Sequence, residues 1–72
     1  MKATEKMRAF GLKELEARTG RSLSILYRWI KAIENGRGVR DENKRLLIEA
    51  TAGSDDPISW GDFEPAELRD AA

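Results

Sequence analysis

Between Leu23 and Glu34 the apolar residues Leu26, Trp29, Ile30 and Ile33 recur at i, i+3, i+4 and i+7, the spacing that lines one face of an α-helix. A helix carrying such a stripe has to bury it against other elements, so the rest of the chain must supply partners. At roughly 100° per residue the opposite side gathers Arg21, Ser24, Arg28 and Lys31, flanked by Tyr27 and Ile25. One face is therefore core and the other polar and basic. Ser22 stands where its hydroxyl can accept from the free backbone donors of this helix.

The flanking segments read as shorter helices. Over residues 4–10, with Ala3 just before, Ala3, Met7 and Phe10 form a stripe that Gly11 ends. Residues 12–19 are strong helix formers with Leu12, Leu15 and Thr19 on one side, and Gly20 supplies the left-handed conformation that closes a helix. After the Asn35-Gly36-Arg37-Gly38 turn, Val39 is expected to drop back towards the core. Asp41 is expected to cap a fourth helix over residues 42–51, with Leu46, Leu47 and Ala50 on its apolar face. Gly53-Ser54-Asp55-Asp56-Pro57 ends that helix. Ser59-x-x-Asp62 then starts a further helical turn that docks Ile58, Trp60 and Phe63 on the bundle. Residues 65–72 read as a loose acidic tail. No alternating run demands a sheet, so the expected fold is an all-α bundle of four to five helices over residues 1–64.

A chain of 72 residues has room for one small domain. Such a domain buries only about 60% of its unfolded surface, so it depends on tight helix packing or on a partner copy. With no cysteine and no histidine, a disulfide framework, a thiolate or imidazole metal site and an imidazole general base are all excluded. Asp55 and Asp56 sit in a turn, where helix-terminating chemistry accounts for them better than acid/base work. Gly36-Arg37-Gly38 lacks both a full dinucleotide fingerprint and a P-loop Lys-Ser/Thr pair. We expect neither enzyme activity, nor a cofactor, nor a small-molecule substrate. Leu46-Leu47-Ile48 is the longest apolar run, far short of the roughly 20 residues of a membrane span. With no apolar core of a signal peptide at its N-terminus, the chain reads as cytoplasmic.

The formal net charge of zero conceals a segregation. Residues 1–45 hold twelve Lys and Arg against six Asp and Glu, a surplus of six positive charges. Residues 46–72 hold one Arg against seven acids, a surplus of six negative ones. Binding to a polyanion responds to local potential, so the first two-thirds is suited to nucleic acid despite the neutral total.

Two short helices joined by a glycine turn, the second with a buried stripe and a basic outer face, are what a helix-turn-helix requires. The pattern Leu12-x-x-Leu15-x-x-x-Thr19-Gly20-x-Ser22-x-x-x-Leu26-x-Arg28-Trp29 resembles the helix-turn-helix of Cro and phage-repressor-like regulators. Residues 41–50, followed by Ile58-Ser59-Trp60-Gly61-Asp62-Phe63, are similar to the closing portion of small prophage Cro-like proteins. The resemblance spans about residues 7–64 and implies a lambda-repressor-like fold with the recognition helix in the DNA major groove. It further implies a sequence-specific regulator that represses transcription by occupying an operator, working in the cytoplasm of a bacterial or phage-infected cell, at the nucleoid. Carried over by position, Ser22, Ser24, Tyr27 and Arg28 contact base edges, Arg28 foremost because a guanidinium bonds guanine in bidentate fashion. Lys13, Arg21, Lys31, Arg37 and Arg40 contact phosphates. The partner is double-stranded DNA with a palindromic operator, bound by a homodimer, for which Ile58, Trp60 and Phe63 are candidate contacts if they are not core. Two positions depart from the family: Glu16 replaces a small residue packed against the turn, and Arg21 replaces an apolar one.

Other readings compete. Arg28 could pair with Glu14 or Glu34, Ser22 could be only a cap, and Tyr27, Arg37 and Arg40 could be ordinary surface residues. Leu26-Tyr27-Arg28-Trp29-Ile30-Lys31 also resembles excisionase-like architectural proteins, which usually add a winged hairpin. A module that binds protein rather than DNA, antitoxin-like or inhibitory, is the third reading, favoured by the acidic C-terminal third. A tail folded over the basic face would weaken non-specific DNA binding.

Overall fold

Gly11 ends one helix and begins the next. At φ +106° its N–H donates to Met7 O (3.1 Å) while its own carbonyl accepts from Leu15 N (3.0 Å), a backbone conformation that a side chain would oppose. The computed structural model describes residues 2–63, arranged as α1 (Lys2–Phe10), α2 (Leu12–Thr19), α3 (Leu23–Glu34), α4 (Asp41–Thr51) and a closing 310 turn (Trp60–Phe63). Among the described residues there is no strand, and no helix is long and apolar enough to cross a membrane. The expected all-helical bundle is therefore what the chain forms. The expected acidic tail, residues 65–72, lies outside the described residues.

The segment between α2 and α3 is closed by three independent bonds. Gly20, in the left-handed conformation at φ +75°, donates to Glu16 O (3.0 Å). Ser22, extended at ψ 159°, accepts from Ile25 N (3.3 Å) as the cap of α3. Glu16 then reaches over the turn, and its Oε2 accepts from Leu23 N (3.1 Å). Glu16 thus braces the two helices across the turn.

The core is built from Ala3 and Met7 of α1, Leu15 of α2, Leu26, Trp29, Ile30 and Ile33 of α3, and Leu47 of α4, closed by Ile58 and Phe63. All four stripe residues of α3 are buried, as the periodicity requires. Helix α2 packs on α1, α3 and α4, and the 310 turn packs on α1 and α4. Leu46 and Ala50 are half-buried beside Leu47, and Val39 and Phe10 likewise sit at the core edge.

The segment returning from α4 is fastened by polar groups. Thr51, fully buried, donates to Leu47 O (3.0 Å) and accepts from Ile58 N (2.9 Å). Asp62 Oδ2 accepts from Ser59 N (2.8 Å) and Ser59 Oγ (3.2 Å), and Lys6 Nζ donates to the same oxygen (2.8 Å) and to Pro57 O (2.9 Å). Burial pushes the Asp62 carboxyl up, but the Lys6 ammonium and the Ser59 donors outweigh it and hold the group below its ordinary value. Lys6 is raised in turn, chiefly by its hydrogen bond to Asp62 against the opposing effect of burial.

Three expectations are corrected. Helix α1 begins at Lys2, not at residue 4, and Thr4 is a buried residue of its first turn. Asp41 is not the cap of α4: the chain stays extended through Arg40 (ψ 153°), which takes the cap position without a side-chain bond. Helical bonds begin there, with Asn43 N and Lys44 N both donating to Arg40 O (3.0 Å each), and the Asp41 carboxylate lies 3.7 Å from Lys44 Nζ instead. Trp60 does not dock. Ile58 and Phe63 are buried but Trp60 is 47% exposed, because Asp62, held by Lys6 and Ser59, takes an inward position of the short turn. Ile58 and Phe63 are therefore core and not available as dimer contacts.

Candidate nucleic-acid interface

The burial of Leu26, Trp29, Ile30 and Ile33 turns the other side of α3 outward by helical geometry alone. Ser24, Tyr27, Arg28 and Lys31 are all exposed there, Tyr27 to 54%. Arg21 and Ser22 are exposed at the N-terminal end of the helix, Lys13 on α2, and Arg37 and Arg40 between α3 and α4. The Ser22 oxygen is occupied in part by its capping bond, which leaves the hydroxyl proton to donate.

The basic residues divide into two groups. Lys6 pairs with Asp62 (2.8 Å) and Asp56 (3.3 Å), Arg8 with Glu34 (3.0 Å), Arg18 with Glu14 (3.6 Å) and Lys44 with Asp41 (3.7 Å). Arg18 also donates to Ala50 O (3.3 Å) and lies 5.2 Å from the centre of the Phe10 ring. Lys13, Arg21, Arg28, Lys31, Arg37 and Arg40, and away from α3 also Lys2 and Arg45, form no ion pair among the described residues. The competing reading in which Arg28 pairs with Glu14 or Glu34 does not hold, since those carboxylates are engaged by Arg18 and Arg8.

Arg28, Arg37 and Arg40 come together in one open groove of about 480 Å³ between the C-terminal half of α3 and the start of α4. Trp29, Ala32 and Val39 supply its apolar lining, and Glu42 and Asn43 join them from the first turn of α4. The turn that brings this about folds back on α3: Arg37 N (2.8 Å) and Gly38 N (3.1 Å) both donate to Ala32 O. Lys13, Arg21, Ser22, Ser24, Tyr27 and Lys31 lie outside the groove lining. Glu42 and Asn43 were not anticipated as part of any site. Their placement depends on the fold-back of residues 35–38, for which the sequence carries only turn-forming residue types.

No cluster of acidic side chains among the described residues is arranged to hold a metal ion. Compared with protein-family models, with curated proteins and with solved structures, the chain matches none.

Proposed function

We propose that this protein binds double-stranded DNA in a sequence-specific manner through a helix-turn-helix formed by α2, the Gly20 turn and α3, and that it regulates transcription as a Cro-like repressor of phage or prophage type. The observation that carries this reading is the division of the cations. Among the described residues every basic residue on the outer side of α3 and its flanks is exposed and forms no ion pair, as is true elsewhere only of Lys2 and Arg45, whereas Lys6, Arg8, Arg18 and Lys44 are paired within the fold. A helix of 12 residues is about 18 Å long, and a major groove about 12 Å wide admits it edge-on. Ser22, Ser24, Tyr27 and Arg28 then meet base edges, while Lys13, Arg21, Lys31, Arg37 and Arg40 fix the register on phosphates. The protein works in the cytoplasm at the nucleoid and represses by occluding polymerase. It binds a palindromic operator as a homodimer, and Trp60 is the exposed aromatic left for that contact.

The test is fluorescence anisotropy of the full chain against random duplex DNA, paired with selection of bound sequences from a random pool. Five phosphate contacts per subunit give a slope of log affinity against log salt of about −4.5 for one bound subunit, a loss of two to three decades between about 50 and 200 mM, and about twice that slope for the homodimer. Arg28→Ala should erase preference at one position of the selected motif while leaving most of that slope intact. No binding at low salt refutes the proposal. The excisionase-like alternative gains nothing from the fold, since the described residues hold no strand pair for a wing.

A further inference from the structure

We propose that the groove lined by Arg28, Arg37 and Arg40 is a binding site for a doubly charged phosphate group, and that a small phosphate anion seated there competes with DNA for Arg28. The first part stands on the groove alone; the second rests on the DNA-binding reading. Three arginines and one acid, Glu42, line this groove, so its lining residues carry a surplus of two positive charges. Like charges brought together repel, and a dianion removes that repulsion while a monoanion leaves half of it. Guanidinium groups present planar forks that match phosphate oxygens two at a time. The apolar lining from Trp29, Ala32 and Val39 strengthens the attraction by excluding water from one side.

The three side chains also stand on backbone that is held in place. Arg28 is mid-helix, two bonds to Ala32 O pin Arg37 and Gly38, and Arg40 O accepts both Asn43 N and Lys44 N. The backbone that carries the three arginines is thus fixed before any ligand arrives. Its chemistry is that of side-chain guanidinium groups and not of a glycine-rich backbone cradle, which accounts for the lack of any nucleotide-loop motif. The ligand class is a phosphomonoester or a pyrophosphate-type anion, either free or as the terminal group of a nucleotide.

The experiment uses the ¹⁵N-labelled full chain titrated with pyrophosphate, sodium chloride being adjusted to keep the ionic strength constant. Inorganic phosphate and ADP are run as separate arms. The expected result is saturable shifts in the Arg28, Arg37 and Arg40 side-chain signals and the backbone amides of residues 37–43. Affinity should fall by about tenfold or more in Arg37→Ala and in Arg40→Ala, as loss of a charge-assisted fork predicts. Equal affinity for inorganic phosphate and ADP assigns the site to a lone phosphate group, and tighter ADP binding with shifts at Trp29 assigns it to a nucleotide. Non-saturable shifts spread over all basic residues, or shifts unchanged in variants whose circular dichroism shows the fold intact, overturn the site. Anisotropy then tests the second part: pyrophosphate should weaken duplex binding several-fold at constant ionic strength. Binding at the groove without competition overturns that part, whereas binding at the groove with no duplex binding at all refutes the DNA reading and leaves the site standing.

Discussion

Replacing Glu16 isolates the brace between α2 and α3. Its Oε2 accepts from Leu23 N at 3.1 Å across seven residues of sequence, on a side chain that is half-buried. A hydrogen bond to a charged group contributes about 1.5–3 kcal/mol, and partial exposure places this one at the low end. The carboxylate also sits at the N-terminal end of α3, which adds about 0.5 kcal/mol through the helix dipole, and alanine returns about 0.3 kcal/mol in helix propensity. Glu16→Ala should therefore cost about 1.5 kcal/mol, or roughly 6–12 °C in Tm for a domain of this size. Glu16→Gln keeps an acceptor and loses the charge, so it should cost about 0.5 kcal/mol. Urea and thermal unfolding followed by circular dichroism measure both, and repeating them at high salt removes the dipole part but not the bond. An alanine variant as stable as the parent would show that the carboxylate does not brace the turn. On the DNA-binding proposal, duplex affinity measured well below Tm adds a second readout, because a loosened α2–α3 angle would weaken binding even where the chain stays folded.

Thr51→Val keeps the buried volume but leaves Ile58 N without its acceptor, at an expected cost of about 2 kcal/mol. Thr51→Ser keeps the bond and should cost only about 1 kcal/mol, and denaturant midpoints that reverse this order would count against the hydroxyl's role. Gly20→Ala meets no atom within 4 Å, so its cost, about 1–2 kcal/mol in the same unfolding assays, should be backbone strain alone; an unchanged midpoint would contradict the left-handed assignment. Asp62 is held below its ordinary value of 3.8, so its contribution to stability is complete above that pH and lost as pH falls through the lower value of the folded state. Lys6, raised above 10.5, contributes fully below that pH and loses its contribution as pH rises through the higher folded value. Unfolding followed against pH should show an acid limb below about pH 4 that Asp62→Asn flattens, and an acid limb identical in that variant would refute the assignment.

What could be read from the sequence was local. The bounds of α2 and α3, the Ser22 cap and the burial of Leu26, Trp29, Ile30 and Ile33 all follow from helical periodicity and from residue types at helix ends. What could not be read required knowing which distant groups meet. The role of Glu16 could not be read because its bond partner lies in the next helix. Trp60 looked like core because nothing local says that Asp62, tied to Lys6 from the other end of the chain, would take the inward position. Asp41 has the chemistry of a cap, yet the extended backbone through Arg40 starts α4 one residue early. The outer face of α3 was legible residue by residue. The groove was not, because it exists only once residues 37 and 38 fold back on Ala32.

A chain with as many acids as bases presents a basic surface only if its acids are engaged elsewhere, and the ion pairs accomplish this unevenly. Helix α3 contains one acid, Glu34 at its C-terminal end. A carboxylate there, one turn beyond Lys31 and close to the turn that carries Arg37, would repel the phosphates that the proposed interface attracts. Arg8 of α1 takes it up at 3.0 Å. Both side chains of that pair are about half-exposed, and such a bridge adds at most about 1 kcal/mol to stability, so its main consequence is electrostatic: it removes the one negative charge on the helix. The same holds for Glu14 on α2, which faces Arg18. On the DNA-binding proposal, Arg8 and Arg18 need no contact with DNA to favour its binding, and the basic surplus of residues 1–45 reaches solvent along α3 because the cations that pair with Glu34 and Glu14 are drawn from α1 and α2.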